Sequence, residues 1–106
     1  MPATINHSFD GLPGEALIRE GLADLAAGRE SIGALLVQIG APRLRLLAVP
    51  LPEAELDLDA DRRLYRLLAA THGNEAHAQY NSLIRQLVSF ERALERRVWA
   101  GRRALG

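Results

Sequence analysis

Apolar residues recur at Tyr80, Leu83, Ile84, Leu87, Val88, Phe90, Leu94 and Val98, a three-and-four spacing that lays a stripe along one helical face. Against it stands a polar row at His77, Asn81, Arg85, Ser89, Arg92 and Arg96, candidates for a solvent-facing or ligand-facing side. No proline interrupts this stretch, so the pattern predicts one long amphipathic helix capped by Asn74 and running to Leu105. About 30 residues at 1.5 Å rise make about 45 Å of helix. A compact domain of this size has a radius of gyration near 13 Å and a diameter of about 34 Å as a sphere. The helix is therefore expected to overhang its own domain. Its far end still carries Leu94, Val98 and Trp99, which are expected in or beside a contact with another chain. Glu91 falls where a heptad begun at Ile84 and Leu87 requires an apolar residue, so a regular coiled coil is not expected.

The preceding chain reads as shorter helices. Residues 1–12 show no helical period and are expected as a flexible arm, with residues 13–106 forming a single helical domain. A helix is predicted from Pro13 to Ala27, burying Leu17, Ile18, Leu22, Leu25 and Ala26 and stopping at Gly28. Ser31 is read as the cap of a second helix from Ile32 to Ile39, where Leu35, Leu36 and Val37 follow one another without a polar gap. Gly40-Ala41-Pro42 is expected to end it, and Pro42 to open a further short helical turn through Ala48. Residues 50–58 read as a connecting loop. Asp59 is then expected to cap a helix from Ala60 to Thr71, with Leu64, Leu67 and Leu68 inward and Gly73 as its stop.

The fold class read from this pattern is all-α, a four-to-five-helix bundle with a long C-terminal helix. The alternative places a small β-hairpin at residues 43–59, because Arg43-Leu44-Arg45-Leu46 and Leu56-Asp57-Leu58-Asp59 both alternate. Folded back on Pro50-Leu51-Pro52, that hairpin would set Arg45 opposite Asp57 and Leu46 opposite Leu56. Helix propensity favours the first reading, since Val49 is the one β-branched residue of the segment.

Composition narrows the class. Of the 106 residues, 48% are hydrophobic and 5% aromatic, so a core must be built mainly from Leu, Ile, Val and Ala. The absence of cysteine removes disulfides and thiolate metal sites and suits a reducing cytoplasm. Met1-Pro2-Ala3 has neither a basic start nor an apolar run behind it, and no stretch approaches the roughly 20 apolar residues of a membrane helix. A cytoplasmic protein without a membrane partner is expected. All thirteen basic residues are arginine, which with heavy Ala and Leu use matches the bias of a GC-rich bacterial genome. Their placement is uneven. Residues 1–61 hold four Arg against ten Asp or Glu, or minus six, whereas 62–106 hold nine Arg against three Glu, or plus six. Such polarity suits head-to-tail contact, internal neutralisation or an acidic partner.

Chemistry-bearing motifs are few. Asp57, Asp59 and Asp61 alternate as in a calcium loop, but Arg62 stands where the turn needs glycine and Leu68 where the bidentate carboxylate belongs. His72, Glu75 and His77 crowd one turn, yet Glu75 and His77 are two apart and point away from each other on a helix, so no metal site is expected. Arg66, then five residues, then His72 resembles the motif of the HEPN helical ribonucleases, whose arginine and histidine act on RNA beside a bundle groove. That resemblance implies Arg66 and His72 as alternative catalytic residues. Leu67 replaces the polar residue that usually follows the arginine in that family. Arg92, Arg96, Arg97, Arg102 and Arg103 would give a nucleic-acid-binding protein its phosphate contacts, with Glu91 and Glu95 diluting them. The leading expectation is a small non-catalytic helical protein that acts by protein-protein contact, as a homodimer or one half of a bacterial two-protein system, without a cofactor.

Overall fold

The computed structural model describes residues 10–52 and 59–105. The first nine residues of the expected arm, and 53–58 of the expected loop or hairpin, lie outside the described residues. The class is all-α: α1 spans Glu15–Ala26, α2 Ile32–Leu46, α3 Ala60–His72 and α4 Ala76–Leu105, with a 3-10 turn at Gly73–Glu75. There is no strand among the described residues, and Arg43 to Leu46, one arm of the alternative hairpin, are helical.

Helix α1 begins two residues later than expected because Gly14 takes a left-handed conformation (φ 77°), and the Glu15 amide bonds the Leu12 carbonyl at 3.1 Å. Leu12 is buried, and Asp10 accepts from Arg19 at 2.8 Å, while its carbonyl accepts from Arg97 at 2.9 Å. Residues 10–12 are thus held against α1 and α4. Ile18 and Gly21 are buried on the inner face of α1, whereas Ala26, contrary to expectation, is exposed, the neighbouring Leu25 being the last-turn residue that packs on the core.

Ser31 caps α2 as expected: its Oγ accepts from the Ala34 amide at 3.1 Å and donates to Asp24 Oδ2 at 2.8 Å. Leu35, Leu36 and Val37 are all buried, as their unbroken run implies. The expected break at Gly40-Ala41-Pro42 does not occur. Proline removes one backbone hydrogen bond and disfavours helix before it, but here Pro42 is exposed while Ala41 and Leu44 on either side are buried, and that burial holds the helix together. Two expected segments become one, and the described residues hold four α-helices. The helix ends in a Schellman motif: the Val49 amide bonds the Leu44 carbonyl and the Ala48 amide the Arg45 carbonyl, both at 3.0 Å. Ala48 takes the left-handed position (φ 64°) that glycine usually fills.

Asp59 precedes α3 as expected, but its side chain makes no capping bond to the helix. Leu64 and Leu68 point into the core. Asn74 is not the cap of α4; it lies within the 3-10 turn, which lets Gly73 (φ 56°) reverse the chain before Ala76 starts the helix. Tyr65 then meets the tilted rings of His77 and Tyr80 at 6.4 and 5.8 Å, joining α3 to α4. Phe90, Leu94, Leu64, Leu68, Leu36 and Leu44 form the centre of one core. The molecule measures 49 × 26 × 21 Å. Its long dimension is close to the roughly 45 Å expected of α4 alone.

Candidate interaction surface

The surface worth building is the seam between α2 and α4. Gly40 on α2 lies against Leu87 and Glu91: a Cβ there would come within 2.8 Å of Leu87 Cδ1 and 3.1 Å of Glu91 Oε2. One turn on, Arg43 Nη2 donates to Glu95 Oε1 at 2.9 Å across the same seam. Advance along α2 therefore matches advance along α4, and the two helices run parallel here. Leu46 stands three residues beyond Arg43 and Trp99 four beyond Glu95, the spacings that keep a side chain on the same face. That spacing carries both about one turn beyond the Arg43–Glu95 pair, one on each helix. Leu46 is 82% exposed and Trp99 51%.

The seam opens into a groove. A cleft of about 250 Å³ is lined by Arg43, Val88, Glu91 and Arg92, and another of about 400 Å³ by Glu95, Arg96, Trp99 and Ala100. Glu91 forms its floor and, among the described residues, is the buried charged side chain of the core, only 6% exposed. Burial pushes its carboxyl pKa up, because the charged form loses hydration, and the Arg43 guanidinium partly offsets this. The cleft across the seam thus has Arg43 and Arg92 on its walls and the Glu91 carboxyl in its floor, and Trp99 lines the second cleft further along α4.

The structure divides the expected interface residues. Leu94 is 2% exposed and belongs to the core, so it has no surface to give to another chain. Val98 is half-buried against the core and Trp99 is at the surface. Of the polar-row candidates, His77 and Arg85 are exposed and Asn81 is half-buried; they follow α4 without converging on a cavity. Arg92 and Arg96 alternate with Glu91 and Glu95, and Arg97 is bonded to the Asp10 carbonyl, so residues 91–97 present mixed charge rather than a continuous basic face.

Arg66 and His72 are both exposed on α3. Six residues apart, they are separated by about 9 Å along the helix and about 120° around it, so they do not converge as the HEPN resemblance implies. No group of three His, Asp or Glu suited to a metal occurs among the described residues, and no described helix is long and apolar enough to cross a membrane.

Gly40, Arg43 and Leu46 do not stand out as surface residues in the sequence. Helical spacing carried through Pro42 places Arg43 and Leu46 together on an outer face, whereas the proline reads locally as a break. The family-model scan, the curated-protein search and the solved-structure search return no match for this chain.

Proposed function

We propose that the chain is a small non-catalytic helical protein acting by protein-protein contact, as a homodimer or as one half of a two-protein system. The observation that carries this reading is the exposure of two large apolar side chains, Leu46 at the end of α2 and Trp99 near the end of α4. Leaving a large apolar side chain fully in water costs about 1.5–3 kcal/mol relative to burying it, and exposed apolar surface rimmed by charge is characteristic of contact sites. The Arg43–Glu95 pair one turn earlier supplies a polar rim that orients a partner.

Sedimentation velocity of the pure chain, together with affinity capture from its source cell, tests the proposal when wild type is compared with Trp99→Ala. The expected result is an assembly, with itself or with a second protein, that Trp99→Ala weakens at unchanged helix content. A chain that stays monomeric and captures nothing in a Trp99-dependent way overturns it.

A further inference from the structure

The groove carries more than an exposed apolar pair. Its two walls are complementary to each other, level by level. Arg43 on α2 stands across from Glu95 on α4, both roughly half exposed, and helical spacing carries the exposed Leu46 on α2 and Trp99 on α4 about one turn beyond that pair. One turn earlier, where Gly40 meets Leu87 and Glu91, the half-buried Ile39 and Val88 occupy the corresponding positions. Each wall therefore offers what the other needs: cation against anion, and apolar against apolar.

We propose that the occupant of this groove is a second copy of the chain, docked face to face about a two-fold axis that runs along the groove, parallel to α2 and α4. That operator lays α2 of each copy on α4 of the other. Arg43 then meets the partner's Glu95, Leu46 packs on the partner's Trp99, and Ile39 approaches the partner's Val88. It works because rotation about an axis along the helices leaves height along them unchanged, so residues level across the seam within one chain, such as Arg43 and Glu95, are also level across the interface. Two-fold contacts require a self-complementary patch, and this one is self-complementary in both charge and apolarity. The exposed Arg43–Glu95 pair within one chain is worth little in water, so both partners are free to be shared across the interface, where exclusion of water strengthens them. The inference rests on the contact reading above and names its partner.

Charge exchange at this pair tests the proposal in the full-length chain by sedimentation velocity at micromolar concentration. Wild type is expected to dimerise. Arg43→Glu alone and Glu95→Arg alone are each expected to be monomeric, because either brings like charges together at both ends of the pair. Mixed in equal amounts, the two monomers are expected to form a heterodimer, since the introduced carboxylate then faces the introduced guanidinium and the two remaining native groups face each other. The ion pair within each chain stays broken in that mixture, so a merely structural role for Arg43 and Glu95 would not restore association. Leu46→Asp, at an exposed site that cannot unfold the core, is expected to give a monomer of native helix content. A mixture that remains monomeric, or dimerisation unaffected by Leu46→Asp, overturns the proposal. A wild-type monomer that still captures a second protein through Trp99 also overturns it, while leaving the contact reading in place.

Discussion

Gly21 on α1 and Gly33 on α2 touch backbone to backbone. A Cβ added to Gly33 would stand 2.9 Å from Gly21 Cα, and one added to Gly21 would stand 2.8 Å from Val37 Cγ2 and closer still to the Gly33 carbonyl. Backbone cannot turn aside as a side chain can, so either addition must push the helices apart. Alanine in place of Gly21 gains up to about 1 kcal/mol in helix propensity, against about 1–3 kcal/mol for overpacking a tight contact. The clash is with backbone on the most extensive helix contact of the chain, so the cost prevails. Gly21→Ala is expected to lower the melting temperature in thermal circular dichroism; an increase would show that α1 and α2 separate freely.

Glu91 sets a pH dependence of definite sign. A carboxyl whose pKa is raised on folding binds its proton more tightly in the folded state, so its contribution is favourable below its unfolded value and is lost as pH rises through its folded one. Near neutrality the buried charge is a burden. Glu91→Gln is therefore expected to raise the denaturant midpoint at about pH 7, with the advantage shrinking towards about pH 4. An advantage that grows on acidification would contradict the assignment.

Asp24 behaves in the opposite sense. The Ser31 hydroxyl and then the Arg29 guanidinium hold its carboxyl below the usual range, so the stability it contributes is present above its unfolded value and lost as pH falls. Ser31→Ala removes both that hydrogen bond and the cap of α2. It is expected to cost about 1 kcal/mol near neutrality and to flatten the acid limb of stability against pH. Unchanged acid sensitivity in urea titrations would show that the hydroxyl does not govern Asp24.

Ala48 occupies the left-handed position of the α2 Schellman motif. An L-residue there pays roughly 1–2 kcal/mol, partly offset because glycine is freer in the unfolded chain. Ala48→Gly is expected to stabilise the fold by about 0.5–1 kcal/mol, read as a higher urea midpoint at unchanged slope.

Leu94 and Trp99 separate folding from contact. Leu94→Ala opens a cavity in the core and is expected to cost about 2–5 kcal/mol, whereas Trp99→Ala, at a half-exposed site, is expected to lower the monomer's unfolding midpoint less than Leu94→Ala does. If Trp99→Ala destabilises as much as Leu94→Ala under monomeric conditions, Trp99 serves the core instead of the surface.

The all-α class, the single long amphipathic helix and the Ser31 cap are legible in the sequence, because they rest on local periodicity and on hydrogen bonds between near neighbours. Tyr80, Leu83, Ile84, Leu87, Phe90 and Leu94 turn inward as their spacing requires. Tertiary structure decided the rest. Pro42 reads locally as a stop, and only the burial of Ala41 and Leu44 carries α2 past it. Glu91 reads as an interruption of a heptad, yet its place on the groove floor depends on Gly40, fifty-one positions earlier, leaving room for its carboxyl. Gly21 and Gly33 look like weak points of two helices until the helices cross there. Leu46 and Trp99 share a surface only because α2 and α4 pack parallel and in register. Each of these depends on contact between residues distant in the chain, which local spacing does not encode.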